Sequence, residues 1–205
     1  MKKCIVFVMA LMLGCSGKNP LFDSAEFFSY FPLSVGNTWH YYRQGFAPSG
    51  TSSSYQITAK RKINGKTYFE YRELQSIETR QDREYFRMEG DKLYRLVAIA
   101  DTADFSGVDE NLPYADFSME QGETFTYYQY TGGYPVGDCM DNTGHGIFKW
   151  TFTVTVEEKT PTRVVFFYDS PNAIDEEYSF EFTKGIGITK KDLPGGWGAQ
   201  VLIGF

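Results

Sequence analysis

Cysteine is scarce in this 205-residue sequence. Of three in all, Cys4 and Cys15 fall in the first fifteen residues, which leaves Cys139 alone in the body of the chain. A lone thiol closes no internal disulfide, so the fold has to rest on its core. Histidine is scarcer still, with His40 and His145 only. A positive balance is also missing: 20 basic residues face 26 acidic ones, a net charge of −6, and no basic run exceeds the three residues Lys60-Arg61-Lys62. Loss of Lys2 and Lys3 with a leader would widen this to −8. Such a balance argues against a nucleic-acid partner and against electrostatic binding to anionic membranes. After Leu13 no apolar stretch approaches the roughly eighteen residues of a membrane-spanning helix. No Gly-x-Ser-x-Gly nucleophile turn is present.

What is abundant is aromatic and glycine. Phe, Tyr and Trp make up 18% of the chain, far above a disordered polar tract, and hydrophobic residues make up 42%. The length suits a single sizeable domain, and aromatic and β-branched residues favour strands. Alternation supports this. "YQITAKRK" sets Tyr55, Ile57 and Ala59 against Gln56, Thr58 and Lys60, and "FKWTFTVTV" sets Phe148, Trp150, Phe152, Val154 and Val156 against Lys149 and three threonines. "EYSFEF" repeats the pattern. Strict period two predicts antiparallel strands with one face buried. Asn64-Gly65 predicts a tight hairpin, because both positions tolerate positive φ, and Glu89-Gly90-Asp91 and Lys159-Thr160-Pro161 are further turns.

An internal repeat emerges when "FPLSVGNTWHYY" (31–42) is set above "FSMEQGETFTYY" (117–128). Phe31 meets Phe117, Gly36 meets Gly122, Thr38 meets Thr124, Trp39 meets Phe125, and the two Tyr pairs coincide. Two hairpins follow each copy, the second opening with "DREY" or "DEEY". The expected fold is all-β and antiparallel, about ten strands in two five-strand pseudo-repeats (31–99 and 117–205), forming a curved sheet or half-open barrel within one domain, 29–205. Trp39 and Tyr41 share a face at period two and are expected in the core, with Tyr42 half exposed and His40 on the wetter side.

The first fifteen residues, "MKKCIVFVMALMLGC", carry two lysines, an apolar run from Cys4 to Leu13, and Gly14-Cys15. This is the pattern of a secretory leader. Met12-Leu13-Gly14-Cys15 resembles the box of bacterial lipoprotein signals, which implies removal of residues 1–14, lipidation of Cys15 and a tether over 15–28. Ser16 rather than Asp after the Cys implies, by the same resemblance, the outer membrane. "YFPLSVGNTWHYY" resembles the opening of a broad set of uncharacterised bacterial lipoproteins that begin Phe-Pro-Leu, two residues, Gly-Asn, one residue, Trp. "FTKGIGITKK" (182–191) resembles the Gly-x-Gly strand near their end. That resemblance implies an exported half-open β-barrel of the lipoprotein-carrier kind, and it supplies no catalytic residues.

Sites are harder to read. Asp138, Cys139, Asp141 and His145 crowd one Gly-rich loop and are metal-ligand types, but paired Cys or His at short spacing is absent and a plain surface turn is preferred. Cys139 with either His lacks an orienting third group for nucleophilic catalysis. Asp101, Asp104, Asp109, Glu110 and Asp116 lie between the repeats and read as a solvated linker. Gly185 and Gly187 share a strand face and leave room for a ring, with Trp197 a candidate. No cofactor is expected. The expected role is non-catalytic: an envelope lipoprotein, anchored through its lipid, that binds an apolar small molecule or a partner protein on an aromatic surface drawn from Trp39, Tyr41, Tyr42, Tyr127, Tyr128, Trp150 and Trp197. A structural or adhesion module with a filled core is the alternative.

Overall fold

The computed structural model describes residues 29–45, 52–74, 83–97, 111–133, 146–171, 177–192 and 198–205, with backbone alone at 130–133 and 146–148. These form twelve strands: β1 (Thr38–Gln44), β2 (Ser52–Ile63), β3 (Lys66–Glu73), β4 (Arg83–Glu89), β5 (Lys92–Val97), β6 (Ala115–Asp116), β7 (Thr124–Gly133), β8 (Gly146–Lys159), β9 (Arg163–Asp169), β10 (Tyr178–Thr183), β11 (Gly187–Asp192) and β12 (Ala199–Gly204). No helix occurs among the described residues.

All twelve join one antiparallel sheet in the order β6-β5-β4-β3-β2-β1-β12-β11-β10-β9-β8-β7. Each half is thus a meander of six strands, and β1 pairs with β12 to seam the halves together. The sixth strands, β6 and β12, account for the excess over the ten expected. The sheet curls until its free edges face each other. No ladder joins β6 to β7, but Arg95 on β5 donates to Gln129 on β7 at 3.4 Å, and the Tyr114 and Tyr127 rings meet at 5.1 Å. The result is a curved sheet not closed into a barrel.

The two strand openings share one backbone pattern. Asn37 N–H donates to Ser34 O, and Glu123 N–H donates to Glu120 O, each closing a turn with a glycine third. Those glycines, Gly36 and Gly122, sit at φ 100° and 87°, where L side chains are disfavoured. Gly36 N–H then donates to Ile57 O and Ile57 N–H to Asn37 O; Gly122, Val156 and Glu123 repeat both bonds. The register shift past Ile57 on β2 has its counterpart past Val156 on β8. The Asn64-Gly65 hairpin has both residues at positive φ, as its turn requires.

The interior is packed with rings. Phe31, Trp39, Tyr71, Phe86, Phe166 and Phe182 are fully buried, mostly edge-to-face. Such pairs each contribute about 0.5–1.5 kcal/mol beyond area burial. Tyr114 crosses the middle of the concavity. Its ring meets Phe86, Tyr127, Tyr168 and Phe180, and its carbonyl accepts from the Tyr168 hydroxyl at 2.8 Å. The segment preceding β7 is therefore no solvated linker over 113–117: Tyr114, Ala115 and Phe117 are buried, and Asp116 accepts from Ser118 and pairs with Lys92. Residues 100–110 of that linker lie outside the described residues.

Strand direction gives the sheet two unlike ends. Tight turns (β2–β3, β4–β5, β8–β9, β10–β11), the β6–β7 connection and the 29–37 segment gather at one, the turn end. The β1–β2, β3–β4, β5–β6, β7–β8, β9–β10 and β11–β12 connections all leave from the other, the loop end.

Candidate functional site

Residues 29–33 run across the turn end and are held there by hydrogen bonds at both sides. Gly185 N–H donates to Ser29 O at 2.7 Å, Ser29 Oγ bridges the Phe31 N–H and carbonyl, and Asn37 Nδ2 donates to Pro32 O. This strap turns Phe31 and Leu33 into the core and leaves Tyr30 on top. Tyr30 stacks on Phe117 at 4.6 Å and 12°. Between the strap, the β2–β3 and β4–β5 hairpins and Phe117 lies a groove of about 650 Å³. Its apolar wall is Tyr30, Phe31, Leu33, Phe69, Met88 and Phe117, and its polar groups are Ser29, Thr67, Arg87, Asp91 and Lys184.

The volume falls in the range of small-molecule pockets, and a mostly apolar wall with a few polar groups is their usual chemistry. Arg87 is buried, pairs with Glu89 at 2.7 Å and lies over the Tyr94 ring at 4.0 Å, yet its Nε and Nη2 have no hydrogen-bond partner among the described residues. Lys184 stands over the Tyr30 ring at 5.9 Å. Burial pushes the Tyr30 phenol above its ordinary value, with Lys159 pulling it back and Asp91 pushing the same way. Among the described residues the lining holds neither histidine nor cysteine.

The residues singled out from sequence do not form one surface. Trp39, Tyr41 and Tyr127 are interior, with exposures of 0%, 0% and 2%. Trp39 Nε1 donates to Ile186 O at 2.6 Å, and Tyr41 Oη donates to Ile188 O at 2.8 Å. Tyr42 is 39% exposed on the outer face, where Tyr128 also lies with Lys149 over its ring at 3.4 Å. Trp150 is 38% exposed and pairs with Gln129 near the loop end. His40 is exposed and bonds Ser54, as its alternation with Trp39 predicts. Cys15, Trp197 and the Asp138–Cys139–Asp141–His145 loop lie outside the described residues. Among the described residues no cluster of His, Cys, Asp or Glu could hold a metal ion.

The ring packed against the Gly-x-Gly strand is Phe31. A methyl on Gly187 would lie 2.7 Å from Phe31 Cδ2 and 3.0 Å from Trp39 Nε1. Sequence reasoning missed Tyr30, Phe69, Met88, Arg87 and Lys184 as groove residues. The available signal was the repeat itself, since its two opening residues, Phe31 and Phe117, both line the groove. No family model matches the sequence, and no curated protein or solved structure matches it either.

Proposed function

We propose that this chain is a non-catalytic lipoprotein of the bacterial cell envelope, attached to the outer membrane through Cys15, which binds an apolar small molecule in the turn-end groove. The observation that carries the reading is the groove itself: about 650 Å³, walled by Tyr30, Phe69, Met88 and Phe117, on a domain whose interior is otherwise ring-packed. A carrier needs an apolar concavity that stays accessible, and this is a pocket-sized one. The strap that forms one wall leads back through the tether to Cys15, so a lipid anchor would keep the groove within a tether's length of the membrane.

The test is a titration with N-phenyl-1-naphthylamine, an apolar dye that fluoresces on leaving water. Thr67 lines the groove and is exposed, so Thr67→Trp fills it without touching the core. The wild-type protein should bind at micromolar dye and Thr67→Trp at least tenfold more weakly, with unchanged thermal stability. Equal binding by both would place the dye elsewhere and overturn the reading.

A second reading, a partner-binding module, is favoured by a separate observation. Val35, Ile203 and Phe205 are exposed large apolar residues where β1 and β12 meet at the turn end. Loss of a partner on Ile203→Lys, with dye binding intact, would select it.

A further inference from the structure

The loop end holds a cluster that the groove does not use. Glu84 on β4 and Arg95 on β5 form a two-point ion pair, Nε and Nη2 to the two carboxylate oxygens at 3.0 and 2.8 Å. Arg95 is 12% exposed and lies over the Tyr114 ring, which floors this part of the concavity. Beside the pair sits Lys191 of β11. Its ammonium lies 4.7, 4.1 and 5.5 Å from the ring centres of Tyr41, Tyr55 and Tyr71. Tyr55 and Tyr71 are themselves stacked at 5.0 Å. No hydrogen bond or ion pair engages that ammonium among the described residues. Its neighbour Lys190, by contrast, pairs with Asp192 at 2.8 Å. A cation in an aromatic cage gains from the ring faces but still lacks an oxygen acceptor.

We propose that Lys191 anchors a second binding site, at the loop end, for a monocarboxylate with a flat apolar body. The hydrogen bonding selects the class. Arg95 is held at two points by Glu84, whereas the Lys191 ammonium has no oxygen acceptor among the described residues, which suits a single carboxylate. Glu84 and Glu73 both act on Lys191 electrostatically and would repel a dianion. The flat body follows from the half-buried rings beside the ammonium, Tyr55 on β2 and Phe180, the cross-strand partner of Lys191 on β10.

The groups facing Lys191 are Tyr41 (β1), Tyr55 (β2), Tyr71 and Glu73 (β3), Glu84 (β4) and Arg95 (β5). Burial pulls Lys191 down to about 8, with Glu84 opposing and Arg95 assisting. Burial raises the three tyrosines, Arg95 is held well above its ordinary value, and Glu84 is held below its own. Lys191 is therefore the group of this cluster that titrates between pH 7 and 10.

The experiment is calorimetric titration of the full chain with 2-naphthoate, 2-naphthamide and 2-naphthyl phosphate. The proposal expects naphthoate to bind best, the amide and the phosphate to bind at least tenfold more weakly, and naphthoate affinity to fall as pH rises above 8. Lys191→Met should weaken naphthoate at least tenfold, whereas Thr67→Trp should leave it unchanged, which separates this site from the groove. Circular dichroism confirms that the variants remain folded. No measurable naphthoate binding, equal binding of the amide, or binding insensitive to Lys191→Met would each overturn it.

Discussion

Phe31 and Gly187 are packed so closely that a methyl on the glycine would lie 2.7 Å from the ring. The Phe-Pro-Leu opening and the Gly-x-Gly strand, 150 or so residues apart in sequence, are thus the two halves of one contact. Trp39 completes it by donating to Ile186 O from the other side. Together these two segments lock the chain's entry strap against β11.

Gly187→Ala should accordingly be costly. The position combines φ 103° with two neighbours, the Phe31 ring and the Trp39 indole, already within 3.0 Å of the added methyl. Strain and overpacking together suggest a loss of about 2–4 kcal/mol. Urea unfolding measures it, and a loss below about 1 kcal/mol would mean that the strap swings away freely.

Gly36→Ala and Gly122→Ala make the contrasting case. Neither would meet another atom within 4 Å, so only the backbone conformation resists. Each should cost about 1 kcal/mol, by nearly equal amounts, and the double variant should show the sum. Unequal costs would count against equivalent roles in the two halves, as would a failure of 31–97 to superpose on 117–192.

Trp39→Ala should cost about 3–5 kcal/mol, the usual figure for a buried large aromatic. Trp39→Phe should retain most of the packing and lose mainly the bond to Ile186 O, about 1–3 kcal/mol. Chemical denaturation of the pair separates volume from hydrogen bond.

Lys191→Met should stabilise the free protein at neutral pH. The folded-state value of about 8 lies below the ordinary 10.5, so between these the unfolded chain binds the extra proton and wild-type stability rises with pH. The advantage of the variant should be full below pH 8 and shrink steadily toward pH 10. Denaturation midpoints at pH 6, 8, 9 and 10 give the profile, and a pH-independent difference would mean that the ammonium is not desolvated.

Much of the sheet could be read in advance, and the misses have physical causes. Alternation in β2 and β8, the Asn64-Gly65 turn and the paired Gly36 and Gly122 are local signals that tertiary context did not override. Both sixth strands escaped. β6 is only Ala115–Asp116, too short for a period, and "AQVLIG" in β12 does not alternate. The Lys191 cluster escaped through a bulge. Glu181 pairs with Lys190 but Phe182 pairs with Ile188, so one residue is skipped. That shift puts Lys191 opposite Phe180, on the interior side, where unbroken alternation from Ile188 would have put Lys190. The groove escaped because its walls come from the strap, three hairpins and the β6–β7 connection, which meet only after the sheet curls.

A native mass spectrum of the full-length protein, extracted gently in detergent from bacterial membranes, most directly tests whether this is a lipid-anchored binder. The predicted spectrum shows a mature chain beginning at a diacylglycerol-modified Cys15, carrying one noncovalent apolar molecule that Thr67→Trp loses. An unmodified N-terminus together with no bound molecule would contradict both the anchor and the groove.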